Sequence, residues 1–426
     1  MQKVVALLTL ACTHSLTTHA QYCIESRFTQ GDYFSDEQIN VNTYISYGLA
    51  EHWFLDYPQP DLNTFDIAYP EKSLDPLEKK PLILLAHGGG FWGGEKEEFS
   101  YHIEQLAKNG YVAVSMNYRK GWDGDPVGCD GDPLSLSRAI YFGMQDAKAC
   151  LRYLINHAED YGIDTSAIFV GGESAGAYAM LNSIYLSNEE WDNLHPGFES
   201  QYGDLDHAVN DLEENYSVKG FISMWGGVLD TALCTPDELK PTISFYGTSD
   251  DIIPPYDGYV QYCENYEHVN GGAGLAIHLS NYEVPNVLHE HLLYGHEAYE
   301  ETYTTGNIAC FVKSVLCGEV QTRTVQYEEA NCEDMVLTVD DIESNVLNVY
   351  PNPAADYLVI KLTELFLNDP AVQVFDLNGR LQAVQFTTSG NSVTLNISEL
   401  PVGMYQIQIS KNGLSVPGKF VVSRFK

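Results

Sequence analysis

Basic residues are scarce in this 426-residue chain: 22 Lys and Arg stand against 59 Asp and Glu, a formal charge of −37. A field of that sign repels phosphate backbones and anionic lipid, which argues against nucleic acid as a partner. After the first twenty residues no run approaches the roughly 18 apolar residues needed to cross a bilayer, so no integral membrane segment is expected in the mature chain. No C-x-x-C pair is present, which removes a zinc ribbon or a redox-active dithiol. His289-Glu290 has no second His at the spacing of a zinc-protease helix, and neither a metal nor a cofactor is expected. Proline is also sparse (18) while hydrophobic residues reach 44%, so the bulk must pack as globular domains, two or three at this length.

What is present begins with an export signal over residues 1–20: Lys3 precedes an apolar run from Val4 to Ala11, and Thr18-His19-Ala20 offers a small-residue cleavage site before Gln21. Lipidation at Cys12 is a rival reading, though Thr9 stands three positions before it, where an aliphatic residue is usual. Losing the signal leaves eight cysteines, an even number that favours disulfides in an exported chain. A composition break comes late. From Leu347 to Lys426 there are five acidic and six basic residues, a net of +1, and no Cys, His or Trp, so the residues before it carry −38. The expected organisation is a signal over 1–20, a catalytic domain over 21–317, an acidic linker over 318–346 and a separate domain over 347–426, with Cys332 a candidate for stapling the linker back.

In residues 21–317 apolar runs alternate with helical spacing, which predicts an α/β fold with a mostly parallel sheet flanked by helices. Leu82–Leu85, Val112–Val114, Ala167–Val170, Phe221–Met224 and Thr242–Phe245 are the expected buried strands, and Leu136–Tyr161 and Ala175–Leu186 the expected helices. An acidic, aromatic insertion over 189–216 is too long for an ordinary connection and reads as a lid or cap. Asp123-Gly124-Asp125 and Asp130-Gly131-Asp132 read as a solvated acidic loop, because the ligand order of a calcium hand is missing. In the last segment, alternation over Val372–Phe375 and Tyr405–Ile409, each followed by Asn-Gly, predicts hairpins of a small β-sandwich.

The chemistry concentrates in four short stretches. Gly172-Glu173-Ser174-Ala175-Gly176 follows a strand and opens a helix, the setting in which a strained turn holds a serine Oγ outward. His87-Gly88-Gly89-Gly90 ends an earlier strand, and its glycines let the N–H groups of Gly89 and Gly90 approach a developing oxyanion together with that of Ala175. It lacks the Lys-Ser/Thr of a phosphate loop. Past the strand Thr242–Phe245, Asp250 is the candidate orienting acid and Asp251 its nearest competitor. His278, His289, His291 and His296 follow, and His296, beside Gly295, is the candidate base with His291 as fallback. His289 and His291 share one strand face and read as surface histidines.

These four stretches, in the chain order His87-Gly90, Gly172-Gly176, Asp250 and His296 and over residues 40 to 317, resemble the α/β-hydrolase carboxylesterases, near the hormone-sensitive-lipase-like and Bacteroidota feruloyl-esterase-like branches. The resemblance implies a secreted serine carboxylesterase with Ser174 as nucleophile, His296 as base and Asp250 as acid. Its substrate would be an ester, with acetyl or feruloyl groups on polysaccharides as the leading class. The interval between acid and base is longer than those families usually show. A serine peptidase, lipase or polyesterase of the same fold stays open, as does an inactive surface adhesion module. Val349-Tyr350-Pro351-Asn352-Pro353-Ala354, Val374–Arg380 and Leu395–Tyr405 resemble the C-terminal sorting domain of type IX secretion. That implies the type IX machinery as a partner, a Bacteroidota source and a secreted or cell-surface location. A carbohydrate-binding or fibronectin-like sandwich is the alternative, without a Trp to stack on a sugar.

Overall fold

The computed structural model describes residues 20–23, 27–29, 31–50, 63–124, 128–213, 216–326, 349–350, 354–361, 371–376, 380–389, 392–411 and 414–424. The signal segment before residue 20, Cys332 and the Asn378-Gly379 and Asn412-Gly413 turns lie outside them.

Strands β1 (Ile39–Ser46), β2 (Thr64–Pro70), β3 (Lys80–Ala86), β4 (Val112–Met116), β5 (Ile163–Glu173), β6 (Val218–Met224), β7 (Gly227–Val228), β8 (Thr242–Gly247), β9 (Asp257–Tyr259), β10 (His268–Gly271), β11 (Asn286–His291) and β12 (Arg323–Gln326) succeed one another along the chain. Nine of them form one sheet in the order β1-β2-β4-β3-β5-β6-β8-β11-β12. It is parallel from β4 onward, while β1 and β2 run antiparallel. The helices are α1 (Ser100–Asn109), α2 (Pro133–Asn156), α3 (Ala158–Tyr161), α4 (Ser174–Tyr185), α5 (Asn188–Leu194), α6 (Phe198–Tyr202), α7 (Gly272–Asn281) and α8 (Glu301–Cys317). This strand order, with helices on both faces, is the α/β-hydrolase fold.

The apolar runs are continuous because both faces are covered. Leu82, Leu84 and Ala86 of β3 pack with α2 and α4, whereas Ile83 and Leu85 pack with α1 and α8 on the other side. Helix α2 starts where Asp132 accepts from the N–H groups of Leu134 and Ser135, with Pro133 at the first helical position. The single helix expected to Tyr161 breaks at His157, whose φ of −101° and ψ of 19° separate α2 from α3.

Other expectations need correction. The insertion expected as a lid or cap over 189–216 packs on α2 where it is described: Trp191 is fully buried against Tyr141 and Phe198, and Gln145 of α2 donates to the carbonyls of Tyr202, Gly203 and Asp204. The stretch from residue 318 opens with β12, which pairs in parallel with β11 and extends the sheet. Its polar Arg-Thr-Val-Gln sequence gives no buried-run signal because it is an edge strand. His289 is buried in the core, stacked on Phe245 at 4.6 Å between ring centres, and its imidazole is pushed down to about 3 by burial. Two disulfides join Cys23 to Cys317 and Cys129 to Cys263, and Cys310 is disulfide-bonded as well. Cys150 and Cys234 stay as buried free thiols. Among the described residues no helix is long and apolar enough to cross a membrane.

The C-terminal part forms two four-stranded antiparallel sheets. Strands β13 (Val349–Tyr350), β14 (Tyr357–Lys361), β17 (Gln385–Ser389) and β18 (Ser392–Asn396) make one, in the order β13-β14-β18-β17. Strands β15 (Ala371–Phe375), β16 (Leu381–Gln382), β19 (Gly403–Lys411) and β20 (Leu414–Val422) make the other, in the order β16-β15-β19-β20. Alternate residues such as Leu358, Ile360, Ile407 and Ile409 fill a core of their own.

Candidate active site

Four loops meet at the carboxyl ends of parallel strands, where an open α/β sheet gathers its functional groups. The first follows β5. Ser174 opens α4 with a φ of +48°, a left-handed conformation that costs energy in any residue but glycine, and it is 8% exposed. The flanking glycines are sterically required. A Cβ on Gly172 would lie 2.1 Å from the carbonyl oxygen of Ala86, and one on Gly176 would lie 2.2 Å from those of Ala86 and His87.

Ser174 Oγ lies 2.8 Å from His296 Nε2, and His296 Nδ1 lies 2.9 Å from Asp250 Oδ2. With Asp250 ionised, Nδ1 carries the proton and Nε2 is left to accept from the serine hydroxyl. The other carboxylate oxygen of Asp250 accepts from the N–H groups of Ile252 and Ile253, both at 2.9 Å, and the carboxylate is buried. Asp251, the competitor, faces solvent.

The long interval between acid and base has a structural cause. After β8 the chain builds β9, β10 and α7 before returning as β11, so 46 residues separate two groups in contact. Their loops are zipped together: Thr248 N–H donates to His291 O, Ser249 N–H to Tyr294 O, and Leu293 N–H to Thr248 Oγ1. Gly247 admits this approach, since a Cβ there would sit 2.2 Å from Gly295 O. His291, the fallback base, bonds Ala298 O through Nδ1 at 2.6 Å and stacks on Tyr294 at 3.6 Å. It closes the loop that carries His296 and does not reach Ser174. His278 bonds Cys234 O, away from the loops that carry Ser174 and Asp250.

The loop after β3 turns sharply, with φ of +97° at Gly89 and +59° at Gly90. Gly89 O accepts from Trp92 N–H and Gly93 N–H, while the N–H groups of Gly89 and Gly90 donate to no described group. Ala175 N–H belongs to the first turn of α4, where N–H groups lack helical partners. All three N–H groups come from the segments that follow β3 and β5. Behind them, Tyr118 donates to His87 O at 2.8 Å, and Glu173 Oε1 accepts from Gly88 N–H at 3.2 Å. Burial pushes the Glu173 carboxyl up to about 7, and burial lowers the His87 imidazole to about 4. Neither Tyr118 nor Glu173 stood out as a site residue in the sequence. Glu173 lies inside the Gly-x-Ser-x-Gly stretch, at one of its variable positions; Tyr118 carries no sequence signal.

Among the described residues no cluster of His, Cys, Asp and Glu is arranged to hold a metal ion. Asp132 caps a helix, and the acidic loop around it is tied down by the Cys129–Cys263 disulfide.

Residues 65–237 match the BD-FAE family model, and residues 348–423 match the secretion system C-terminal sorting domain. The first match includes Ser174 and the His87-Gly90 loop and stops before Asp250 and His296. A Caenorhabditis elegans neuroligin-like protein, glit-1, is 33% identical over 132 residues, covering 30% of this chain and 17% of that protein. The fumonisin B1 esterase of Sphingopyxis macrogoltabida is 34% identical over 103 residues, 24% of this chain and 19% of the enzyme. The chain thus spans less than a fifth of either relative. A truncated carbohydrate esterase from gut microbiota superimposes with a TM-score of 0.44 at 13% identity, over 67% of this chain and 100% of that one. Within the chain, then, a stretch similar to BD-FAE, set in an α/β-hydrolase fold, is followed by a stretch similar to the secretion system C-terminal sorting domain.

Proposed function

We propose that the protein is a secreted serine carboxylesterase. Ser174 Oγ attacks the ester carbonyl while His296 Nε2 takes its proton. His296 then returns the proton to the leaving alcohol, and the acyl-Ser174 intermediate is cleared by a water that His296 activates in turn. Asp250 holds the imidazolium, and the N–H groups of Gly89, Gly90 and Ala175 receive the oxyanion. The observation that carries this reading is the relay of 2.8 and 2.9 Å from a Ser174 held at φ +48°.

The favoured substrates are acetyl or feruloyl esters of polysaccharides. Exposed rings support this choice: Trp92 (54% exposed) stands on the Gly89-Gly90 loop, Tyr262 (56%) donates its hydroxyl to Asp250 O, and Tyr294 (55%) precedes His296. Flat exposed rings beside a reactive serine suit sugar or cinnamoyl faces. A fluorophosphonate probe followed by a panel of acetyl, feruloyl, butyryl and long-chain esters and a peptide amide tests the reading. Labelling of Ser174 with fastest turnover of acetyl or feruloyl esters is expected. Turnover of the peptide alone would make it a peptidase, and an unlabelled folded protein would make it a binding module.

Export is proposed to use the signal over 1–20 and then type IX secretion, with the C-terminal domain removed from about Leu347. The support is the sorting-domain match and the separate core of that domain. A chain from Gln21 to Glu343 keeps every described element of the α/β sheet through β12. It is expected to match the specific esterase activity of the longer chain within about twofold, because the sandwich contributes none of the proposed reacting groups. A soluble but inactive truncation would make the sandwich part of the working enzyme. Intact Lys426 on cell-free protein, read by mass spectrometry, would count against removal.

A further inference from the structure

The peptide units of the His87-Gly88-Gly89-Gly90 loop are pinned one after another, and the pin nearest the nucleophile is a carboxylate. In a planar trans peptide the C=O and N–H point in opposite directions, so holding one end aims the other. The unit between His87 and Gly88 is gripped at both ends: Tyr118 Oη–H donates to His87 O at 2.8 Å, and Gly88 N–H donates to Glu173 Oε1 at 3.2 Å. In the next unit Gly88 O lies 2.8 Å from His87 Nδ1 and 3.3 Å from Tyr118 Oη, which turns Gly89 N–H the other way. In the third, Gly89 O is held by Trp92 and Gly93 and so aims Gly90 N–H. Tyr118 is itself fixed, since its neighbour Arg119 bonds Asp146 and Gln145 of α2 through backbone and guanidinium. Glu173 packs directly on this loop: a Cβ added to Gly88 would lie 3.0 Å from its Oε1.

We propose that Glu173 is a positioning residue, its carboxylate tying the oxyanion loop to the nucleophile turn so that the N–H groups of Gly89 and Gly90 face the acyl oxygen. The inference rests on the esterase reading of Ser174. A carboxylate is a stronger acceptor than a neutral oxygen, and this one is kept in a costly place. It is largely buried, with Glu98 and Glu297 adding negative charge nearby and His296 and the phenol of Tyr118 close enough to interact with it. Burial lifts it to about 7, so it loses its charge as pH falls through neutrality and then resembles a glutamine.

The test uses the full chain with Glu173→Gln and Glu173→Ala, measuring kcat and KM on an aryl acetate from pH 5 to 9, with melting temperatures. Glu173→Ala is expected to lower kcat about 10- to 100-fold at pH 9 with KM within about threefold, less than the loss of an oxyanion donor itself. Glu173→Gln keeps the acceptor and is expected to restore kcat to within about fivefold of the parent. The ratio of parent to Glu173→Gln should fall towards one by pH 5, where the Glu173 carboxyl is neutral like the amide that replaces it. At pH 9 the glutamine variant should melt no lower than the parent, since it avoids a buried charge. A ratio that does not change with pH, a Glu173→Ala variant as active as the parent, or losses of kcat that track losses of melting temperature would overturn the role of Glu173. Fluorophosphonate labelling of the parent keeps the two readings apart. A labelled, active parent with a flat ratio removes only this role, whereas an unlabelled parent removes the esterase reading and this role with it.

Discussion

Replacing Ser174 with alanine is expected to lower kcat/KM for aryl esters by about 10⁴- to 10⁶-fold, the loss typical when the nucleophile of a cooperating triad is removed. The fold should survive. The turn rests on Gly172 and Gly176, whose α-hydrogens face backbone carbonyls that admit no side chain, and the alanine keeps the Cβ already accommodated at φ +48°. Urea denaturation should therefore give a stability within about 1 kcal/mol of the parent, the loss being one hydroxyl with one hydrogen bond to His296. Residual activity above about one part in a hundred would remove Ser174 as the nucleophile, because the oxyanion donors alone leave only a small remainder of catalysis.

His296→Ala is expected to be nearly as damaging, about 10⁴-fold in kcat or more, since no other imidazole reaches Ser174 Oγ among the described contacts. His291→Ala makes the informative comparison. His291 closes the base loop through Ala298 O and stacks on Tyr294, so its loss should loosen the placement of His296 and lower kcat about 5- to 50-fold without abolishing it. The two variants measured side by side on one ester decide the assignment. Equal and complete loss at His291 with survival at His296 would move the base to residue 291.

The parts of this protein that were readable in advance share a physical feature: their constraint is local. The β3, β4, β5, β6 and β8 strands stand out because burial on both sheet faces favours near-continuous apolar runs. The turn at Ser174 stands out because only glycine fits against Ala86 O. Elements whose constraint lies elsewhere gave weaker signals. The insertion over 189–216 looks like a lid by length and acidity, yet Trp191 seats it on α2, and that partner is nearly fifty residues away in the chain. His289 and His291 alternate with Glu290 and so resemble an exposed face, whereas Tyr303 and Ala298 from the following segment cover them.

By itself the sequence determined the α/β class, the separate C-terminal sandwich, and the residue types present at four strand ends. The patterns behind these are one-dimensional: strand periodicity, glycine spacing, and the loss of Cys, His and Trp after residue 347. Only the tertiary structure decided which histidine meets which acid. Asp250 and His296 are brought into contact across 46 residues by the parallel pairing of β8 with β11 and by the bonds that zip their loops. It also revealed Tyr118 and Glu173 behind the oxyanion loop, and the reason is geometric. A peptide unit is aimed by whatever grips its opposite end, and here the grips come from just past β4 and from the end of β5, strands that flank β3 in the sheet while the gripping residues lie 31 and 85 positions further along the chain.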